Sequence, residues 1–267
     1  MSEAPVLWDL DERGVATVTL NRPERNNAYN ADLIAGLHAA MDALSGRADA
    51  RAVVIRGKGK HFQAGADLIW INSVRGGNHA ENIEASRETA RAVDRLNRLP
   101  VPTVSLVQGF CVGGGTGILA ASDVVIAEET AKFAISEVRW GLTASIIFPQ
   151  LNDAIGVRQV RRYALTGERF DAAEARRIGL VHEVVEPGKL SEAGERIVSA
   201  LLENAPIGIA ETKNLALAHA FGDVGGGTFE SLVANHAAKR QSGEAVEGLA
   251  SFAEKRAADW ASVRTKS

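Results

Sequence analysis

Three short segments carry residues whose types and spacing suit proton transfer beside a carbonyl group. Ala64-Gly65-Ala66-Asp67 and Gly113-Gly114-Gly115 are runs of small residues, and Phe133-Ala134-Ile135-Ser136-Glu137-Val138 sets an acid in apolar sequence. Small side chains let a ligand approach the main chain, and amides at the start of a helix point outward without partners. Two such N–H groups aimed at one point stabilise an oxyanion, each donor being worth about 3–4 kcal/mol to a transition state. A carboxyl group in apolar surroundings has its pKa raised toward neutrality and can move a proton at the carbon next to that carbonyl. Taken singly, each segment has a plainer reading: tight helix–strand packing for the glycines, and a surface ion pair with Arg139 for Glu137.

Other chemistries find little support. The six histidines (38, 61, 79, 182, 219 and 236) form no local metal pair, and with one cysteine a thiolate or HExxH-type zinc site is not expected. There is no G-x-S-x-G nucleophile elbow. The triple glycine is not a dinucleotide turn, because the sixth position of that pattern is Ile118. None of the Gly-Lys pairs is followed by Ser or Thr as a phosphate-binding loop requires. A net charge of −3, from 30 Lys and Arg against 33 Asp and Glu, argues against a nucleic-acid footprint. The lone Cys111 precludes an internal disulfide, fits a reducing compartment and sits in apolar sequence as an inert thiol.

The elements that must position these segments follow from pattern. Val6 to Leu10 and Val15 to Leu20 read as strands around the turn Asp11-Glu12-Arg13-Gly14. Asn30 is a ready N-cap for a helix from Ala31, with Leu33, Ile34, Leu37, Met41 and Leu44 on one face. A buried strand over Ala52 to Ile55 leads into the first small-residue loop. A charged helix over Ala80 to Leu99 ends before Pro100 and Pro102, and a strand over Thr103 to Val107 runs into the second loop. The uncharged run Thr103 to Ser122 carries five glycines and Gln108, so a strand, a turn and a helix describe it better than a membrane span. Four further helices are expected, over 191–203, 206–220, 228–239 and 244–260. The expected architecture is α/β, one core over 1–190 and a helical region over 191–267. With no basic region ahead of an apolar one at the N-terminus, a cytoplasmic location is expected.

In this order and spacing the chain resembles the enoyl-CoA hydratase/isomerase (crotonase) superfamily from about Val6 to Trp260. The matching stretches are Leu20 to Ala28, Phe62 to Leu68, Gln108-Gly109-Phe110 with the triple glycine, and Ser122 to Ala127. They continue through Phe133 to Gly141, Leu165 to Val185 and Phe252 to Arg256. The resemblance implies a crotonase-type spiral of ββα repeats, with the helical C-terminal region joining chains into homotrimers or hexamers. It also implies an acyl-CoA thioester whose carbonyl oxygen sits between the amides of Ala66 and Gly114, with Glu137 moving the proton. Coenzyme A is then part of the substrate, and no cofactor, metal, nucleic acid or membrane partner is expected. Substrate- and CoA-binding positions carried over are Arg25, Ala28, Ala64, Asp67, Leu68, Trp140, Phe252 and Lys255.

One departure matters. Well-known hydratases carry a second glutamate two residues after the triple glycine, and here that position is Gly117. Three readings stay open: a hydratase working from Glu137 alone, a Δ3,Δ2-enoyl-CoA isomerase that needs one carboxylate, or a CoA-binding trimer with little catalysis. The first is preferred. In detail the chain looks most like methylglutaconyl-CoA and isohexenylglutaconyl-CoA hydratases, through Ser136-Glu137-Val138-Arg139, Ala154-Ile155-Gly156 and Arg161-Arg162-Tyr163.

The remaining candidates carry balanced readings. Trp70 and Trp140 suit an acyl pocket or a core equally. Asp123 is read as structural, and Glu81, Glu84 and Glu88 as a solvated helix face, although Glu84 and Asp67 are the first places to look for a second carboxylate. His61 precedes the first loop and is a minor candidate for a CoA phosphate. Leu249, Phe252, Ala253 and Trp260 give the last helix an apolar face suited to a neighbouring subunit.

Overall fold

The computed structural model describes residues 4–219, 238 and 242–260. Strands β1 (Val6–Leu10), β2 (Val15–Leu20), β3 (Ala52–Gly57), β4 (Thr103–Val107), β6 (Val124–Glu128) and β9 (Glu183–Val185) form one sheet in the order β1-β2-β3-β4-β6-β9. Only the β1–β2 hairpin is antiparallel. A second sheet joins β5 (Phe110–Val112), β7 (Lys132–Ala134) and β8 (Phe170–Asp171).

The chain climbs as repeated strand–strand–helix turns. Strand β4 leads to β5 and then to helix α4 (Gly114–Ala120). Strand β6 leads to β7 and, after two short 3-10 turns, to α5 (Phe148–Thr166). The turn after β3 keeps its second-sheet strand as a single bridge, Gln63 to Cys111, before α2 (Leu68–Gly76) and α3 (His79–Asn97). This is the expected α/β spiral. Parallel strands need such crossovers, and a strand covered on both faces reads as a continuous apolar run. In β4 all five residues are buried: Val104 and Leu106 face α7 (Leu190–Leu202), and Val107 joins the main core.

Helix α1 (Ala31–Ser45) begins where expected, the Asn30 side chain accepting the Leu33 amide at 3.0 Å. Helix α3 begins at His79 under a capping box from Asn78 and Glu81. Helix α2, in a stretch for which no element was expected, is launched by Asp67, whose side chain accepts the Ile69 amide at 3.0 Å. Helix α8 (Pro206–Ala218) matches its expected span closely, whereas α9 (Gly243–Glu254) is shorter than expected. Trp260 is therefore not on that helix: it folds back so that its ring lies 3.3 Å from where a side chain on Gly248 would begin. The helix expected over 228–239 lies, but for Ala238, outside the described residues. No helix among the described residues is long and apolar enough to cross a membrane.

Buried polar residues tie the loops to this frame. Asp123 accepts from the Thr103 amide and hydroxyl and from Lys213 at 2.8–2.9 Å, the structural role expected for it. Asn27, fully buried in the left-handed region at φ 57, donates to the carbonyls of Lys58, His61 and Phe62 and accepts from the Arg22 amide. Asn27→Ala leaves those buried groups unpaired and puts a Cβ residue without a local hydrogen bond at positive φ. A loss of about 2–3 kcal/mol in urea-monitored unfolding is the expected result.

Candidate active site

The two small-residue loops lie side by side. The Gln63 amide donates to the Phe110 carbonyl at 3.1 Å, and the Val112 amide donates to the Gln63 carbonyl at 3.0 Å. Past this pairing the main chains close up: a side chain on Gly113 would begin 3.5 Å from the Gly65 Cα. Gly113 adopts φ 54 and ψ −132, a conformation open to glycine. Gly114 is glycine for another reason, since its Cβ would sit 2.7 Å from the Tyr29 ring. Ala66 and Gly114 border the same cavity of about 700 Å³. Neither amide donates to an acceptor among the described residues.

Glu137 opens a 3-10 turn directly after β7, so the strand delivers its side chain to the same place. Its Oε1 lies 3.2 Å from where a Cβ on Gly113 would be, while Oε2 is buried without a hydrogen-bond partner. Desolvation pushes the carboxyl above its usual range, with the backbone amides of Glu137 and Ser136 pulling weakly the other way. The ion pair with Arg139 that adjacency suggests does not form.

The remaining sequence candidates fall into groups. Ala64, Leu68, Trp70 and Trp140 line the cavity, and Trp70 also packs against the core. Arg25 is exposed and Ala28 buried on the 22–28 turn, outside the cavity wall. The Asp67 side chain is spent on the helix cap and on Arg22 at 3.1 Å; burial raises its pKa, but these partners outweigh it and hold the carboxyl low. Glu84 pairs with Arg87 and Arg91 away from the cavity. Neither acid supplies a second carboxylate there. His61 Nδ1 accepts the Phe110 amide at 3.0 Å, and its ring stacks on Phe110, which gives it a structural task. The Cys111 thiol is fully buried, and burial pushes its pKa up. Lys255 follows α9 at φ 54, and the Phe252 side chain lies outside what is described.

Residues the sequence reading overlooked complete the site. Arg75, Arg139 and Arg169 border the cavity, and their guanidinium groups make no ion pair or hydrogen bond to another described residue, Arg169 lying 5.5 Å over the Phe110 ring. Among the described residues Glu137 is the one carboxylate on the wall. At Gly117 the space for a side chain is already taken: a Cβ there would lie 2.5 Å from Ile147 Cγ2 and 2.9 Å from its Cβ. The signal for Ile147 was the altered segment Leu142 to Ser145 just before it, but nothing in one dimension links Ile147 to Gly117.

Comparison with known proteins gives the family of the chain and its fold. The family model described as enoyl-CoA hydratase/isomerase matches residues 11–263. The chain belongs to the enoyl-CoA hydratase/isomerase family. A crystal structure of an enoyl-CoA hydratase from Shewanella pealeana superposes with a TM-score of 0.92 at 34% identity, over 96% of each chain. A short-chain-enoyl-CoA hydratase of Clostridium acetobutylicum is 33% identical over 207 residues, 76% of this chain and 78% of that one. A mitochondrial Δ(3,5)-Δ(2,4)-dienoyl-CoA isomerase of Dictyostelium discoideum is 28% identical over 256 residues, 92% and 87%. The family thus spans hydratases and isomerases, and the crotonase fold is common to its solved members.

The Ile147–Gly117 contact generates a stability test. Gly117→Ala is overpacked and should cost about 1–3 kcal/mol. In a double-mutant cycle with Ile147→Ala, the pair should show a favourable coupling above about 1 kcal/mol by chemical denaturation.

Proposed function

We propose that this protein is an enoyl-CoA hydratase that adds water to an α,β-unsaturated acyl-CoA thioester with one glutamate. The reading rests on one observation: a desolvated carboxyl stands over the glycine loop, in the same cavity as two amides that no described residue occupies. The Ala66 and Gly114 N–H groups would hold the thioester oxygen as it gains negative charge. Ionised Glu137 takes a proton from water while the water oxygen bonds to Cβ, and the double-bond electrons move onto the thioester oxygen. The resulting acid returns the proton to Cα, so the carboxylate is regenerated and one water is added. Oε2 is available to accept from the water O–H. CoA is part of the substrate, and no separate cofactor enters these steps.

A second reading, a Δ3,Δ2-enoyl-CoA isomerase, is favoured by the lack of another carboxylate on the cavity wall among the described residues. Glu137 would then take a proton from Cα and deliver it to the γ carbon. Incubation in heavy water separates the two: the hydratase yields a 3-hydroxyacyl thioester from an α,β-enoyl substrate, whereas the isomerase converts a β,γ-enoyl substrate without gaining oxygen.

The three unpaired guanidinium groups fit an acyl chain that ends in a second carboxylate, as in the glutaconyl-type thioesters of the subgroup this chain resembles. Charge-assisted bonds of that kind are worth about 1.5–3 kcal/mol. Changing Arg139 and Arg169 to Gln should therefore lower the kcat/KM ratio of a carboxylated enoyl-CoA over its methyl ester by about 10- to 100-fold. An equal loss on both substrates would place these arginines on the CoA phosphates instead. A homotrimer or hexamer is proposed from Val246 and Leu249, which α9 leaves exposed, and light scattering after gel filtration would show it.

Glu137→Gln should lower kcat by about 10²–10⁴-fold. In the parent enzyme kcat/KM should rise with pH along an acid limb centred above 4.5, the ordinary value, because the ionised form starts the reaction. Stability should move oppositely. The unfolded chain loses this proton first, so folding weakens as pH rises from about 4.5 through the raised native value. The Gln variant should thus melt higher than the parent at neutral pH and show no such advantage below 4.5.

A further inference from the structure

The amides of Ala66 and Gly114 are each one end of a peptide unit whose other end is a carbonyl, that of Gly65 and Gly113 respectively. In both units this carbonyl accepts two hydrogen bonds. Gly65 O accepts from the Tyr29 amide at 2.8 Å and from Gln63 Nε2 at 2.9 Å. Gly113 O accepts from the Thr116 amide at 2.9 Å and from Thr116 Oγ1 at 2.7 Å. Gln63 and Thr116 are both fully buried. The orientation of the Gln63 amide is settled by its other end, where Oε1 accepts the Gly65 N–H at 2.7 Å. Gly115 leaves the room this side chain needs, since a Cβ there would collide with Gln63 Oε1.

Two unrelated side chains, one on the loop after β3 and one in the first turn of α4, thus meet the same requirement. A donor on a peptide carbonyl draws electron density toward the oxygen and makes the N–H at the other end a stronger, more tightly oriented donor. The same bonds oppose rotation of the peptide plane, which would swing the N–H away. We propose that Gln63 and Thr116 are positioning residues of the oxyanion site, polarising the Ala66 and Gly114 amides through the carbonyls of their own peptide groups. This rests on the thioester reading above and assigns it two residues that do not themselves touch substrate.

The test uses the full-length protein with 4-(dimethylamino)cinnamoyl-CoA, a chromophoric thioester whose absorption moves to the red when its carbonyl is polarised. Thr116→Val removes the hydroxyl and keeps the volume and the Thr116 amide; Gln63→Met removes the Nε2 donor. Each variant should shrink the red shift of the bound probe. Each should also lower kcat by about three- to tenfold, a fraction of the effect of deleting a whole donor, with KM changed less than twofold. Thr116→Ser keeps the hydroxyl and should restore both readouts. Variants that lose thermal stability yet keep the full red shift and kcat would overturn the proposal, as would a Ser variant as impaired as the Val one. A parent enzyme that binds the probe with no red shift would overturn the thioester reading itself, and this assignment with it.

Discussion

Two N–H dipoles that converge on one point repel each other, and a site built on such a pair must be held together from behind. Here the restraint is a short stretch of parallel pairing around Gln63 and Cys111 that binds the loop after β3 to the loop after β5. Everything else in the site is arranged around it. Strand β7 pairs with β5 in parallel, and the Gly113 amide donates to the Ala134 carbonyl at 2.8 Å. The turn that follows Ala134 therefore places Glu137 over the glycine loop. The glycines follow from the same crowding: Gly113 meets the carboxyl and the Gly65 backbone, Gly114 meets Tyr29, and Gly115 meets Gln63.

The electrostatics of the cavity are lopsided. One acid, held above its usual pKa by desolvation, faces a wall that also carries three unpaired guanidinium groups. Those cations are absent from the influences on the Glu137 carboxyl, of which burial is the largest.

The loss of a second carboxylate is a matter of packing as well as of sequence. With Gly117 bare, Ile147 lies against α4, and the space a side chain at 117 would take is filled with hydrocarbon. In the proposed mechanism one carboxyl both takes and gives the proton. An unpartnered oxygen on that carboxyl suits such a double task, because no protein bond has to break before it can act.

The linear chain was enough for an α/β body, its main strands and the two small-residue loops, because local rules produce them; the spiral arrangement and the choice of Glu137 needed the resemblance to a family. Alternating and continuous apolar runs mark strands, Asn30 marks a helix start, and small residues after a strand mark a close approach of backbone. Helix α2 escaped notice because its cap, Asp67, stood within a segment already read as loop, and its apolar residues remain partly exposed instead of forming a buried face. Only the folded structure could show that Asp67 and Glu84 are tied up elsewhere and that Ile147 closes the space at Gly117. It also showed that Gln63 and Thr116 brace the two peptide units. Each of these depends on which atoms meet across gaps of many residues, and contacts of that range are set by the packing of whole elements, which no local pattern encodes.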